Sequence, residues 1–203
     1  MAPSAAMTEL RIVPANEATW DDLAAIFGSR GEGSRCLCQR YRLAPGEAFG
    51  NFPVAERAAR LREQTECENP TSDTTSGLVA YDGDEPVGWC AVAPRPHHDG
   101  LVRVYRVPWD GREEDRADAG IWAVTCVFAR AGHRRMGISH ALVRAAVDHA
   151  RARGARALEG YPTRPAGAIE QDLHVGTIAA FAGAGFTQVA APSKRRVVMR
   201  IDF

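Results

Sequence analysis

The chain has 203 residues, 45% of them hydrophobic, with 25 acidic and 25 basic side chains. This length and composition are typical of a single globular domain that buries a full hydrophobic core. A net charge of zero gives the protein no overall field for nucleic acid or an anionic membrane, so neither is an expected partner.

The first half of the chain combines short strands and helices with one long loop. Residues 1–8 are predicted to be a flexible N-terminus, and residues 9–203 to form one domain. Thr19 offers an N-cap, with Asp22 in the first turn of the helix that follows. The predicted elements are a strand at 10–13, a helix from 20 to about 27, a loop at 28–50, a helix from 53 to about 66, and hairpin strands at 77–81 and 87–93.

The second half begins with a long insertion and ends in a second set of paired strands. Ile121–Ala129 is nearly all apolar and rich in strand-forming residues, which suits a central strand covered on both faces. The other predicted elements are the insertion at 94–120, a helix at 139–153, a strand at 157–161, a small-residue helix at 175–184, and strands at 186–190 and 196–203.

The turn between the apolar strand and the helix at 139–153 reads "ARAGHRRMGISHALV" over residues 129–143. A helix N-terminus offers unpaired N–H groups to an anion, and Gly137 permits close backbone approach. Arg134 and Arg135 add charged donors. The Gly-Lys-Ser/Thr of a P-loop and the G-x-G-x-x-G of a dinucleotide fold are both missing, so the turn predicts a different phosphate site.

The spacing Arg134-x-x-Gly137-x-Ser139 resembles the acetyl-CoA pyrophosphate loop of the GNAT (GCN5-related) N-acetyltransferases. "VGWCAVA" at 87–93 resembles the strand ahead of the long loop, and "FAGAGF" at 181–186 the passage that closes the GNAT fold. "RCLCQRYRL" and "LEGYP" resemble one bacterial branch of that superfamily. The implied fold is α/β (α+β): a mixed, mostly antiparallel twisted sheet with flanking helices and a V-shaped splay between the two central strands.

The resemblance implies an acetyl-CoA-dependent N-acetyltransferase that transfers acetyl directly to the amine of a small molecule or peptide. Acetyl-CoA is the expected co-substrate, no metal is expected, and a homodimer is allowed. The alternative is a non-catalytic acyl-CoA-binding or regulatory domain on the same fold. In the family, free N–H groups of the splayed strand hold pantetheine and the carbonyl; here they would belong to Val127 and Ala129. The expected cofactor-binding residues are Val127, Phe128, Ala129, Arg134, Arg135, Met136, Gly137, Ile138 and Ser139.

Catalytic residues are harder to assign. Many GNATs carry a tyrosine as the acid for the leaving thiol where this chain has Phe181, and an asparagine near the position of His174. Glu159, in an otherwise apolar strand, is a candidate base whose pKa we expect to lie above its usual value. The alternative is a strand residue that faces solvent. Tyr161 shares its face by strand alternation and is either a substitute proton donor or a packing residue.

Cysteine, histidine and arginine clusters carry less information. Five cysteines and no recognisable export signal favour reduced thiols and a cytoplasmic protein. Cys36 and Cys38, with His97 and His98, lack the usual Cys-x₂₋₄-Cys spacing of structural zinc sites, so ordinary thiols or pocket lining are favoured. The arginines from Arg30 to Arg42 are interpreted as a solvated loop, or as contacts to an acceptor that bears a carboxylate or phosphate.

Overall fold

The computed structural model describes residues 10–164 and 174–203, so the predicted flexible stretch at 1–8 lies outside the described residues. Seven strands form one sheet in the order β1-β2-β3-β4-β5-β7-β6. Only β4 and β5 pair in parallel, and every other neighbouring pair is antiparallel. The predicted mixed, mostly antiparallel sheet is confirmed. The strands are β1 Arg11–Pro14, β2 Leu78–Asp82, β3 Glu85–Pro94, β4 Ile121–Ala129, β5 Ala157–Gly160, β6 Thr187–Ala190 and β7 Val198–Asp202.

Helices cover both faces of the sheet. One face packs against α5 and α6 in the largest apolar cluster, and the other packs against α1 and α3, with α4 over its β5 side. In the described ranges no helix has both the length and the apolar character that a membrane crossing requires. The helices are α1 Trp20–Phe27, α2 Gly31–Cys36, α3 Val54–Thr65, α4 Asp99–Val104, α5 Ile138–Ala152 and α6 Ile178–Ala182.

The helix start predicted at Thr19 is confirmed in detail. The Asp22 N–H donates to the Thr19 hydroxyl at 3.1 Å, and the Thr19 N–H donates to the Asp22 carboxylate at 3.0 Å. This reciprocal pair is a capping box, which satisfies N–H groups that a helix start leaves unpaired.

Two segments contain more regular structure than the sequence predicts. The predicted loop at 28–50 includes α2 and 3₁₀ turns at Gln39–Tyr41 and Phe49–Asn51, and the insertion at 94–120 includes α4. With two glycines in six residues and no apolar periodicity, α2 carries no local helix signal. Conversely, the predicted helix at 175–184 shrinks to α6, because Gly176 has a φ of +85° and Thr177 caps the helix start.

Candidate functional site

The central strands β4 and β5 separate partway along their length. They pair in parallel only from Ile121↔Ala157 to Val124↔Gly160. Beyond that point β4 continues to Ala129, whereas β5 ends. This separation forms the V-shaped opening that the resemblance implies.

The outer half of β4 presents backbone N–H groups to this opening. The Arg130 N–H donates to the Val87 carbonyl at 2.8 Å, which makes these residues a hydrogen-bonded pair. Such pairs recur at every second residue of an antiparallel ladder, so the N–H groups of Val127 and Ala129 face away from β3. Outside the strand ladders, no described residue accepts from either group. Both can therefore donate to a group bound in the opening.

Phe128, between those two residues, contributes its side chain instead of its N–H. By the same alternation its N–H faces β3. Its ring stacks on Phe27 with centroids 5.8 Å apart, and a Cβ on Gly33 would lie 2.8 Å from it. Phe128 thus forms a wall between the opening and α2.

The start of α5 has unpaired N–H groups. Gly137 is the N-cap residue, with φ of +79°, and α5 has no side-chain cap. The Gly137 carbonyl accepts from His140 and Ala141 at 3.0 and 3.1 Å. No described residue accepts from the N–H groups of Gly137, Ile138 and Ser139. Together with the positive end of the helix dipole, they form an anion-binding terminus.

Charged side chains surround this turn. Arg130 Nη1 lies 2.9 Å from Glu85 Oε1, and His133 Nε2 lies 3.5 Å from Glu85 Oε2, which ties the start of the turn to β3. Arg134 and Arg135 are exposed, and Arg135 has a left-handed φ of +64°. The turn therefore places two guanidinium groups within reach of solvent.

Apolar contacts hold the turn against the sheet. Ile138 is 2% exposed, and the half-buried Met136 packs against the same apolar cluster. A Cβ on Gly88 of β3 would lie only 2.5 Å from Ile138 Cγ2. Glycine at position 88 thus allows α5 to lie close to β3, which fixes the helix start.

Glu159 lies in a buried network of charges on the other side of the opening. The Glu159 side chain is fully buried, and Glu114 is a second carboxylate in the network. Three arginines donate to Glu159: Arg95 at 3.2 Å, Arg200 at 3.1 Å, and Arg112. All three also pair with Glu114. Because Arg95 and Arg112 belong to the 94–120 segment, the network joins that segment to the sheet.

The pKa of Glu159 is lowered, whereas the sequence analysis expects it to be raised. Burial by itself raises it, but the hydrogen bond and charge of Arg112, followed by the charge of Arg95, outweigh that effect. The net pKa lies below the ordinary value of 4.5. The expected upward shift is wrong, because three guanidinium groups, not only apolar strands, surround the carboxylate. The solvent-facing alternative is also wrong, whereas the role of Glu159 as a base stays a prediction.

Tyr161 shares the face of Glu159, as strand alternation predicts. Its hydroxyl donates to Glu159 Oε2 at 2.9 Å, and the residue is 3% exposed. Burial, followed by the charge of Glu159, raises the pKa of Tyr161 well above its usual value. Its role as a proton donor to the thiol stays a prediction, but its proton is already hydrogen-bonded to a carboxylate.

Phe181 fills the space where β5 ends. The residue is fully buried, and its ring lies edge-to-face with Phe186 at 5.0 Å. A Cβ on Gly160 would lie 2.2 Å from the Phe181 ring, so glycine at position 160 is needed to make room for it.

Residues that the sequence analysis missed lie beside β4 and β5. Tyr41 is 6% exposed; its ring lies 4.7 Å from that of Tyr105 and stacks on that of His174 at 6.2 Å. The segment "RCLCQRYRL" had marked this region without indicating which side chain matters. Arg95, Arg112 and Arg200 were missed as well, although one glutamate in an apolar strand is a signal for buried positive partners.

The cysteines and histidines do not assemble into a metal centre in the described part of the chain, where no three His, Cys, Asp or Glu side chains could hold an ion. Cys38 Sγ accepts from Trp89 Nε1 at 3.1 Å, and His98 is fully buried. All five cysteines are free thiols. Cys38 therefore serves as a packing and hydrogen-bonding group beside β3.

Comparisons with known proteins agree with this geometry. The sequence profile of the acetyltransferase (GNAT) family matches residues 41–185. No functionally characterised sequence matches the chain. Among solved structures, an N-acetyltransferase from Staphylococcus aureus Mu50 aligns with TM-score 0.54 and 13% identity, covering 96% of this chain and 99% of that one.

Two further structures share the fold. A GCN5-related N-acetyltransferase from Kribbella flavida aligns with TM-score 0.53 and 15% identity, over 96% of this chain and 98% of that one. The Salmonella typhimurium protein yncA, solved with its cofactor acetyl-CoA, aligns with TM-score 0.53 and 16% identity, over 95% and 93%. The split central strands, the uncapped helix start and a family profile that spans most of the chain agree, and the protein belongs to the acetyltransferase (GNAT) family.

Proposed function

We propose that the chain uses acetyl-CoA to acetylate the amine of a small molecule or peptide by direct transfer. The observation that carries this proposal is the adjacency of two sets of unpaired N–H groups. One set belongs to Val127 and Ala129 on β4, and the other to the start of α5 from Gly137 onward. One set suits an amide-bearing chain with a carbonyl, and the other suits a pyrophosphate.

The cofactor would follow the direction of β4 and α5. The N–H groups from Gly137 to Ser139, together with Arg134 and Arg135, would bind the pyrophosphate. Val127 and Ala129 would donate to pantetheine and to the thioester carbonyl, while Phe128 and Met136 line the same path. One N–H aimed at the developing oxyanion contributes about 2.7–4 kcal/mol to the transition state.

The acceptor would enter from the face that holds Tyr41, Tyr105 and Tyr161. A protein of similar fold from Brucella melitensis is named a ribosomal-protein-alanine N-acetyltransferase, with TM-score 0.53 and 16% identity over 97% of this chain and all of that one. The name of that protein supports a peptide amine, as well as the amine of a small molecule, as the acceptor.

Glu159 and Tyr161 lie on this acceptor side and remain our site residues. A carboxylate held by three arginines is a weak base, so the structure favours a role in which the pair holds the acceptor wall in place. Substitution of Glu159 by Gln tests base catalysis directly, since amide nitrogen cannot accept the amine proton. Loss of the acid limb of the rate profile would establish the base, and retention of that limb would assign the pair to positioning.

Two measurements on the full chain test the proposal. Calorimetric titration with acetyl-CoA should show one site per chain, and thiol release should then rise with an amine or peptide from a broad panel. Binding without thiol release on any acceptor would instead identify a non-catalytic acyl-CoA-binding domain. Absence of binding would overturn both functions.

A further inference from the structure

Acetyl transfer leaves a thiolate that needs a proton, and the usual tyrosine position holds Phe181. Tyr41 lies elsewhere in the chain, and its ring packs in one apolar cluster with Ala123 of β4 and Tyr161. Its backbone packs tightly against α4, since a Cβ on Gly100 would lie 2.9 Å from the Tyr41 carbonyl carbon. This contact fixes the 3₁₀ turn that carries Tyr41 over the sheet.

Contacts of the Tyr41 ring place it beside β4, next to the point where β5 ends. The ring belongs to the apolar cluster that contains Ala123 of β4 and Val175, and it stacks on His174. In the same segment, a Cβ on Gly176 would lie 3.4 Å from the Val127 side chain. Tyr41 is thus next to the segment that borders Val127, whose N–H faces away from β3.

The partner of the Tyr41 hydroxyl leaves the phenol proton available. The guanidinium of Arg196 lies beside this hydroxyl, and its Nη1 also donates to the Tyr161 carbonyl at 3.0 Å. A guanidinium can only donate, so the Tyr41 oxygen accepts and its own proton can go to another acceptor. Tyr161 differs, because its proton is bound to the Glu159 carboxylate.

Burial governs the ionisation of Tyr41. Burial raises the pKa of Tyr41 to about 12, although the charge of Arg196 opposes this effect. The phenol is therefore protonated at neutral pH, and Arg196 can stabilise the phenolate that forms when the proton leaves.

We propose that Tyr41 is the proton donor to the departing thiolate, an assignment that rests on the proposed acetyl transfer. The neutral amine attacks the thioester carbonyl carbon, and a C–N bond forms. As the C–S bond breaks, sulfur keeps the electron pair and takes the phenol proton, giving the CoA thiol. The amine nitrogen loses a proton to water, and the Tyr41 phenolate regains one from solvent.

The test compares three tyrosine-to-phenylalanine variants, each of which loses one oxygen. We expect Tyr41→Phe to lower kcat by about 10²–10⁴ in the thiol-release assay, while the Kd for acetyl-CoA stays within about twofold. Tyr161→Phe removes the competing hydroxyl, and Tyr81→Phe, which removes a hydroxyl that donates to Asp22, is the control. Tyr81→Phe should keep kcat near the wild-type value, and Tyr161→Phe should lower kcat less than Tyr41→Phe does.

The outcomes separate this assignment from the proposed function. Wild-type kcat in Tyr41→Phe would overturn the proton-donor role and leave acetyl transfer intact. A large kcat loss confined to Tyr161→Phe would also overturn it. A wild-type chain that binds acetyl-CoA but releases no thiol with any acceptor would overturn acetyl transfer and the role of Tyr41 together.

Discussion

Two arginine-rich regions of this molecule use the same side chain in opposite ways. In the turn before α5, Arg134 and Arg135 are exposed. In the 94–120 segment and β7, Arg95, Arg112 and Arg200 surround Glu159, and the Arg95 and Glu159 side chains are both fully buried. One region exposes its arginines at a helix start, and the other pairs them with buried carboxylates.

The difference lies in exposure and in two central carboxylates. Glu114 and Glu159 bridge all three guanidinium groups of the network. Exposed arginines beside unpaired N–H groups at a helix start point to an anionic ligand. An arginine cluster with carboxylates at its centre indicates a structural role. Substitutions that affect stability in one region should therefore affect binding in the other.

The largest expected effect is on stability, in the buried region. Glu159→Gln removes the charge that three arginines share, so we expect the free energy of unfolding in urea to fall by about 3–5 kcal/mol. Glu114→Gln is the matched control, because Glu114 bonds the same arginines but its side chain is 22% exposed. Equal losses of unfolding free energy in the two variants would contradict the idea that Glu159 contributes more to the network than Glu114 does.

The same variant predicts a pH dependence. The pKa of Glu159 is lowered on folding, so its ionised form stabilises the native state fully above its ordinary value of 4.5. This contribution is lost as the pH falls below that value. The stability difference between wild type and Glu159→Gln should therefore shrink from pH 7 toward pH 3. If urea titrations at these pH values gave a constant stability difference between wild type and Glu159→Gln, this pH dependence would be ruled out.

Gly137→Asp should have the largest effect on binding. A carboxylate next to the bound pyrophosphate would repel it and could cap the same N–H groups, so we expect about 1,000-fold weaker acetyl-CoA binding by calorimetry. Gly154→Asp is the matched control at the other end of α5. Its φ is +76° against +79° for Gly137, and both positions have open space around a new Cβ. Similar affinity losses in both variants would indicate backbone strain instead of lost anion binding.

Arg134→Ala should have a smaller effect on the same measurement. It removes one charged donor but leaves the backbone N–H groups, so affinity should fall by about 10- to 100-fold. Raising the salt concentration should weaken wild-type binding more than that of the variant. Unchanged affinity at low salt would remove Arg134 from the cofactor site.

The smallest expected effect separates stability from binding at a different helix. Thr19→Ala removes the cap of α1, which should lower the free energy of unfolding by about 1 kcal/mol. Acetyl-CoA affinity should not change, since the capped N–H groups of α1 are not offered to a ligand. A measurable change in affinity would contradict the proposed path of acetyl-CoA along β4 and α5.

The β4–α5 region was predictable because its signals are local. An apolar run, a glycine in a turn and an amphipathic helix follow one another in the sequence, and β4 has its predicted bounds. The acceptor side depends on contacts across long separations. Arg95 and Arg112 meet Glu159, and Tyr41 meets Gly100, only after the 28–50 and 94–120 segments fold onto the sheet. No periodicity within either segment encodes those contacts.

The buried charge network also limits how the molecule can diversify. A segment such as 94–120 would ordinarily be exchangeable between proteins of one fold, because loops tolerate insertion and replacement. Here a transplanted segment without arginines at positions 95 and 112 would leave Glu159 buried with too little positive charge. Changes in this segment and in β5 must therefore occur together, so a chimera that exchanges the segment alone should fail unless Glu159 is replaced in the same step.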